Sequence, residues 1–129
     1  MEITVDTHVL IWWMDETLNK KLSKKTLKIM ADAEQTGTIY IPMIVLMETL
    51  YLIERGKGNL SFNHILANIE KNNHYKIIPF DTPLLKIAET VKGLEAHDRI
   101  VVSTALLTNS PLISKDKEIG GIKGIKVIW

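Results

Sequence analysis

Short apolar runs and longer stretches of helical periodicity alternate along the chain, and that alternation predicts its elements. Ile3-Thr4-Val5 reads as a strand ending at Asp6. Asp6 or Thr7 can cap the helix that follows, whose apolar positions include Val9, Leu10, Ile11 and Trp13. A second amphipathic helix is expected from Leu22 to Ala33, with Leu22, Leu27, Ile29, Met30 and Ala33 on its apolar side. Gly37 ends the connection, Thr38 to Ile41 reads as the second strand, and Pro42 suits the first turn of a third helix. That helix, residues 43–55 (MIVLMETLYLIER), is apolar nearly all round, which calls for deep burial or a covering partner. A fourth helix is expected over Phe62 to Ile69, a third strand over Lys76 to Pro79, and a fifth helix from Leu84 to Val91 behind the capping turn Asp81-Thr82-Pro83.

The segment from Leu94 to Asp116 carries the densest information. Asp98 precedes the apolar positions Ile100, Val101, Val102, Ala105 and Leu106, and the preference of helix starts for aspartate makes it the expected cap. Thr108-Asn109-Ser110-Pro111 breaks the helix, and Leu112-Ile113-Ser114 is compact enough for an interior strand with Asp116 just beyond it. Gly120 to Gly124 reads as a mobile loop and Ile125 to Ile128 as a last strand. Strands alternating with helices predict one α/β domain over 1–129, a mostly parallel sheet covered on both faces.

Composition narrows the function classes. The chain has 129 residues, 46% of them apolar and 24% charged, and no apolar run long enough to span a bilayer. It has no cysteine, which excludes disulfides, thiol chemistry and cysteine zinc sites; with no signal-peptide pattern at MEITVD, a cytoplasmic protein without membrane association is expected. The net charge is only +1, but lysines cluster at 20, 21, 24, 25 and 28 and again around Asp116 at 115, 117, 123 and 126. The pair Trp12-Trp13 offers one ring for packing and one for base stacking. Arg55-Gly56-Lys57-Gly58-Asn59 is a flexible turn and not a phosphate loop, because it lacks the Gly-Lys-Ser/Thr ending.

Four acids hold the candidate chemistry. Asp6 ends the first strand, Glu48 is the only acid in the first three turns of the apolar helix, Asp98 opens a helix, and Asp116 follows the fourth strand. Ligand sites of open parallel sheets form at the carboxyl ends of strands, so a parallel sheet can bring all four to one edge. Clustered carboxylates repel unless a cation neutralises them. An all-oxygen donor set suits Mg²⁺ or Mn²⁺, which handle phosphate esters and can activate water for in-line displacement.

Several ordered motifs resemble the PIN-domain ribonucleases, particularly VapC-like toxins of toxin–antitoxin pairs. They are Val5-Asp6-Thr7-His8 with Leu10-Ile11-Trp12-Trp13; Glu48-Thr49-Leu50; His97-Asp98-Arg99-Ile100 leading to Ser103-Thr104-Ala105; and Leu112-Ile113-Ser114-Lys115-Asp116. The resemblance implies a three-layer α/β/α sandwich and an Mg²⁺- or Mn²⁺-dependent endoribonuclease. Its substrate would be structured RNA, tRNA or rRNA with tRNA preferred, and its partners an antitoxin over the active groove and a second copy in a homodimer. Carried over by position, Asp6, Glu48, Asp98 and Asp116 form the acidic quartet that holds metal and catalyses. Thr7 and Ser114 would orient carboxylates or water, and Arg99 would pair with an acid or a phosphate. Glu95 departs from the family pattern, standing where many relatives carry aspartate; it either reaches the metal region through its longer arm or stays in solvent. His97 is a base, an RNA contact or a local hydrogen-bonding group, whereas His8, His64 and His74 lack ligand spacing and are assigned no site.

Two other readings remain. A phospho-receiver module would use Asp81 as phosphate acceptor with Lys115 nearby, although Asp6 is followed by Thr7 and not by a second acid. A non-catalytic PIN-like module would use the apolar helix around Glu48 for partners.

Overall fold

The computed structural model describes residues 1–129. Five strands, β1 (Glu2–Val5), β2 (Thr38–Pro42), β3 (Tyr75–Ile78), β4 (Leu112–Ile113) and β5 (Val127–Ile128), form one parallel sheet in the order β3-β2-β1-β4-β5. The helices are α1 (Thr7–Met14), α2 (Lys24–Thr36), α3 (Met43–Glu54), α4 (Phe62–Lys71), α5 (Thr82–Thr90) and α6 (Ala96–Thr108). Consecutive residues of the central strands are fully enclosed, Ile3, Thr4 and Val5 in β1 and Leu112 and Ile113 in β4. Burial of both faces of a parallel sheet requires helices on each side, which makes the fold the expected three-layer α/β/α sandwich. Thr4 is tolerated at the centre because its hydroxyl lies 2.7 Å from Ser110 Oγ and 3.2 Å from Thr108 Oγ1.

The strand order places a topological switch between β1 and β4, where the chain leaves β1 on one side and returns on the other. The order also differs from the 2-1-3-4-5 arrangement of receiver-type sheets. Asp81 only caps α5, accepting from Leu84 N–H at 3.1 Å, so the receiver reading has neither its sheet nor its acceptor.

Several boundaries depart from the sequence reading for identifiable reasons. Helix α6 is capped by Glu95 and not by Asp98: the two Glu95 carboxylate oxygens accept the N–H groups of Asp98 (2.8 Å) and His97 (3.0 Å). Asp98 thereby falls in the first helical turn, where an acid also suits the helix dipole, and its side chain is free for other work. Residues Lys117–Gly121, expected in part to be loop, form a 3-10 turn capped by Asp116 and anchored by the fully buried Ile119. A second 3-10 turn over Glu16–Lys21 precedes α2, which begins after the cap Ser23 and not at Leu22. Pro42 completes β2, and α3 starts one residue later at Met43.

Helix α3 buries Val45, Leu46 and Thr49, while Met43, Met47 and Tyr51 remain 45%, 60% and 51% exposed along one stripe. The sequence reading required cover for part of this helix, and that stripe is the part left open. No helix is long and apolar enough to cross a membrane.

Two polar knots hold the outer layers. Trp13 is the packed ring of the tryptophan pair: its Nε1–H reaches Glu34 at 3.0 Å and Tyr75 Oη at 2.9 Å, and Tyr75 in turn donates to Glu34. Burial, reinforced by Glu34, pushes the Tyr75 hydroxyl far above its ordinary pKa, so it stays a donor. At the end of α1, Asp15 is buried and accepts from Thr17 N–H (3.0 Å), Thr17 Oγ1 (2.7 Å) and Asn59 N–H (2.8 Å). The Thr17 hydroxyl first, and then the Asn59 amide against the opposing effect of burial, hold this carboxyl below its usual range. The flexible turn ending at Asn59 is thus pinned to α1.

Candidate active site

The switch between β1 and β4 opens into a cleft of about 740 Å³ lined by Asp6, Glu48, Glu95, His97, Asp98 and Asp116, among others. Each acid arrives by a different route. Asp6 leaves β1 and caps α1 through Thr7 N–H (2.8 Å), while its second oxygen accepts the Ser114 hydroxyl at 2.8 Å. Ser114 Oγ also accepts the Asp116 N–H at 3.0 Å, so one buried hydroxyl joins the ends of β1 and β4. Asp116 is held in turn by Glu118 N–H at 2.9 Å. Glu48 projects from α3 and Asp98 from α6.

His97 links these helices. Its Nε2 lies 3.4 Å from Glu48 Oε1 and 3.3 Å from the hydroxyl of the buried Thr7, and its Nδ1 lies 3.5 Å from Asp98 Oδ1. Of the three roles open to His97, the structure shows the local one: its ring sits between α1, α3 and α6, hydrogen-bonded to Thr7 and within 3.5 Å of the Glu48 and Asp98 carboxylates. The Thr7 hydroxyl thus meets His97, while its backbone N–H holds the Asp6 carboxylate.

The charge balance of the cleft is one-sided. Asp98 is pushed above its ordinary pKa by desolvation first, then by Glu95, with Asp6 and Asp116 adding to the repulsion against a favourable contact from His97. Glu95 moves the other way, held low by the backbone N–H groups of Asp98 and His97. Neighbouring carboxyls displaced in opposite directions by their surroundings are a common mark of functional sites. No lysine or arginine is within ion-pairing distance of any of the four acids; the only basic side chain that close is His97. Lys115 lines the cleft, but its ammonium sits over the rings of Trp12 and Trp129, 5.8 Å from each centroid.

The chemistry of this donor set suits a hard divalent cation, while Asp6, Glu48 and Asp116 line the cleft outside the one group of donor atoms that lies within 4.8 Å of one another. The donors are carboxylate oxygens from four separate segments, their charge has no lysine or arginine counterpart, and Mg²⁺ or Mn²⁺ prefers such ligands. One donor atom each from Glu95, His97 and Asp98 lies within 4.8 Å of the others. Both Glu95 oxygens are already engaged as the helix cap, which leaves Asp98 as the freer carboxylate of that group.

Residues 3–124 match the family profile described as the PIN domain. The chain belongs to the PIN domain family. Among solved structures it is similar to VapBC2 from Rickettsia felis, crystallised with a DNA fragment from its promoter (17% identity, TM-score 0.76, covering 100% of this chain and 99% of that one). It is also similar to DNA-bound VapBC from Salmonella typhimurium (18% identity, TM-score 0.69, covering 99% and 97%). A third is VapC20 from Mycobacterium tuberculosis, described as a toxin that cleaves the sarcin-ricin loop (16% identity, TM-score 0.63, covering 96% and 98%). At such identities the likeness is one of fold. No curated relative matches the chain.

The structure brings Asp6, Glu48, Asp98, Asp116, Ser114 and Glu95 to one PIN-domain cleft. It does not bring Arg99. That guanidinium turns away to the end of α5, where Nε donates to Ala88 C=O at 2.8 Å and a terminal nitrogen reaches Glu89 C=O at 3.4 Å. Arg99 therefore pairs with last-turn carbonyls of the preceding helix, sharing that of Ala88 with the Val91 N–H, and with no acid. His8 was missed in the other direction. It lines the cleft and lies 5.5 Å from the Trp12 ring, a placement that metal-ligand spacing does not test.

Proposed function

We propose that this PIN domain is a metal-dependent endoribonuclease, the toxin of a toxin–antitoxin pair. The observation that carries the reading is the convergence of Asp6, Glu48, Asp98 and Asp116 on one cleft without a lysine or arginine to neutralise them. A desolvated carboxyl crowded by other acids, as Asp98 is, is costly to the fold and useful to a cation.

Asp6, Asp98 and Asp116 with Glu48 would hold Mg²⁺ or Mn²⁺. The chemistry such an ion supplies is acidification of water and stabilisation of the departing oxygen in an in-line displacement at phosphorus. Ser114 fixes the Asp6 carboxylate and the Asp116 backbone at one hydroxyl, so both acids are oriented before substrate arrives. His97 stands between Glu48 and Asp98, with opposite ring nitrogens 3.4 Å and 3.5 Å from their carboxylates. Glu95 acts through the backbone: by capping α6 it sets the turn from which Asp98 projects.

The substrate proposed is structured RNA, tRNA ahead of rRNA. Support for RNA comes from the family and from the lysines around the cleft, including Lys115. The antitoxin and homodimer proposals have support of two kinds. Two of the similar folds are VapBC assemblies. Two apolar surfaces are also uncovered here, the α3 stripe of Met43, Met47 and Tyr51 and a groove between α5 and α6 lined by Phe80, Leu85 and Ile100.

The test is cleavage of a panel of tRNA and rRNA by antitoxin-free wild type and by Asp98→Asn prepared identically, with Mn²⁺ and with EDTA. Cutting by wild type alone, abolished by EDTA, is expected. Equal cutting by both proteins, or an intact panel in every lane, contradicts the proposal.

A further inference from the structure

We propose that Trp12, Lys115 and Trp129 form a platform that stacks an unpaired RNA base beside the acidic cleft, so that the strand is single-stranded next to the bond to be cut. This rests on the ribonuclease reading and deepens it from RNA in general to an unpaired segment. Trp12 lines the cleft together with Asp6 and Glu48, whereas its neighbour Trp13 is committed to Glu34 and Tyr75 inside the fold. The Trp129 ring stands 6.2 Å from the Trp12 ring at an interplanar angle of 65°, and it lines the adjoining hollow with Asp116. Two half-buried indoles therefore flank the acids, one from α1 and one just after β5.

Cations accompany the rings. Lys115 Nζ is 5.8 Å from both centroids, and Lys21 Nζ is 5.6 Å from that of Trp12. Trp12 also lines a smaller hollow of about 240 Å³ with His8, Lys21 and Lys57. The sequence of surfaces is thus lysine, indole, lysine, indole along the rim of a negatively charged cleft. Protein surfaces that take single strands combine aromatic faces for bases with lysines that follow the phosphates, and every base offers a face. In a duplex those faces are already stacked, so indoles at the cleft discriminate against paired RNA. Lysines at the rim also offset the repulsion that the acids exert on incoming phosphate.

The experiment measures affinity for a short unstructured RNA and for a hairpin duplex of the same composition, by fluorescence anisotropy of a dye-labelled strand. It is run in EDTA and again with Ca²⁺, using wild type, Trp12→Leu and Trp12→Phe. Leucine keeps apolar packing and removes the π face; phenylalanine keeps both. The expected result is a loss of about ten- to a hundredfold in single-strand affinity for Trp12→Leu, near-wild-type affinity for Trp12→Phe, and unchanged duplex affinity for both. Lys115→Gln should weaken single-strand binding and lower its salt slope by about one. Equal losses on single strand and duplex would mean that Trp12 merely supports the cleft, and would overturn the proposal. So would wild type that binds neither RNA form in either buffer, a result that leaves the rings to a protein partner. A protein that cuts RNA while Trp12→Leu binds both forms like wild type overturns the platform alone. One that cuts no RNA, yet loses single-strand binding through Trp12→Leu, keeps the platform and overturns the ribonuclease reading.

Discussion

Asp15 and Asp98 are two largely enclosed carboxyls in one small domain, and their surroundings push them in opposite directions. Asp15 accepts three hydrogen bonds from Thr17 and Asn59, and its pKa is lowered. Asp98 is desolvated among Glu95, Asp6 and Asp116, and its pKa is raised. The first arrangement strengthens the fold by satisfying a charge; the second weakens it by crowding charges. Carboxyls displaced upward by desolvation and neighbouring acids cluster at functional sites, and that contrast is what the proposal for Asp98 rests on.

The contrast can be broken at either end. The largest effect belongs to the acids: Asp6→Asn should keep the α1 cap and lower RNA cleavage by at least about a hundredfold, more than loss of a mere supporting partner. A smaller loss in single-turnover rate would remove Asp6 from the metal-holding set. Ser114→Ala removes the hydroxyl shared by Asp6 and Asp116, and a drop of about ten- to a hundredfold in the same assay is expected, with weaker Mn²⁺ binding by calorimetry.

At the other end, Asp15→Ala should cost about 2–3 kcal/mol in urea unfolding, since hydrogen bonds to a charged group are lost together. Cleavage by the folded fraction should be unaffected. Acid should act on the two carboxyls with opposite sign. Because the folded pKa of Asp15 lies below its unfolded value near 3.8, its contribution is present above that pH and is lost as pH falls through the lowered folded value. Asp98, with a raised folded pKa, opposes folding above that pKa, and the opposition fades on acidification. Denaturation curves over the acid range should therefore flatten in Asp15→Asn. The smallest effect is expected at Arg99→Gln, about 1 kcal/mol of stability through the lost carbonyl contacts to α5, with KM for RNA unchanged. A raised KM would return Arg99 to the site.

Much of this could be read from the chain. Asp6 and Asp116 closely follow apolar runs too short to be helices, so once the sheet is parallel their meeting at one edge follows. Glu48 stood out because an acid in the middle of an apolar run, well before Glu54 at the helix end, needs a reason to be there. The cap of α6 was less legible: helix starts favour aspartate over glutamate, so Asp98 hid the role of Glu95. Arg99 misled because adjacent residues on a helix do not face the same way, and the Asp-Arg pair splits between the cleft and α5. The turn Lys117–Gly121 was lost among lysines and glycines because a single residue, Ile119, anchors it. His97 and the Trp12–Trp129 pair depend on contacts across the fold that no local spacing encodes.

The central claim is that Asp98 is kept at a cost to the fold because it helps to hold a divalent cation. Thermal unfolding of wild type and Asp98→Asn, each in EDTA and with Mn²⁺, tests it most directly. In EDTA, Asp98→Asn should unfold at the higher temperature, because the substitution relieves repulsion. Mn²⁺ should raise the unfolding temperature of wild type much more than that of Asp98→Asn. Equal Mn²⁺ shifts in both proteins, or a lower unfolding temperature for Asp98→Asn than for wild type in EDTA, would contradict the claim.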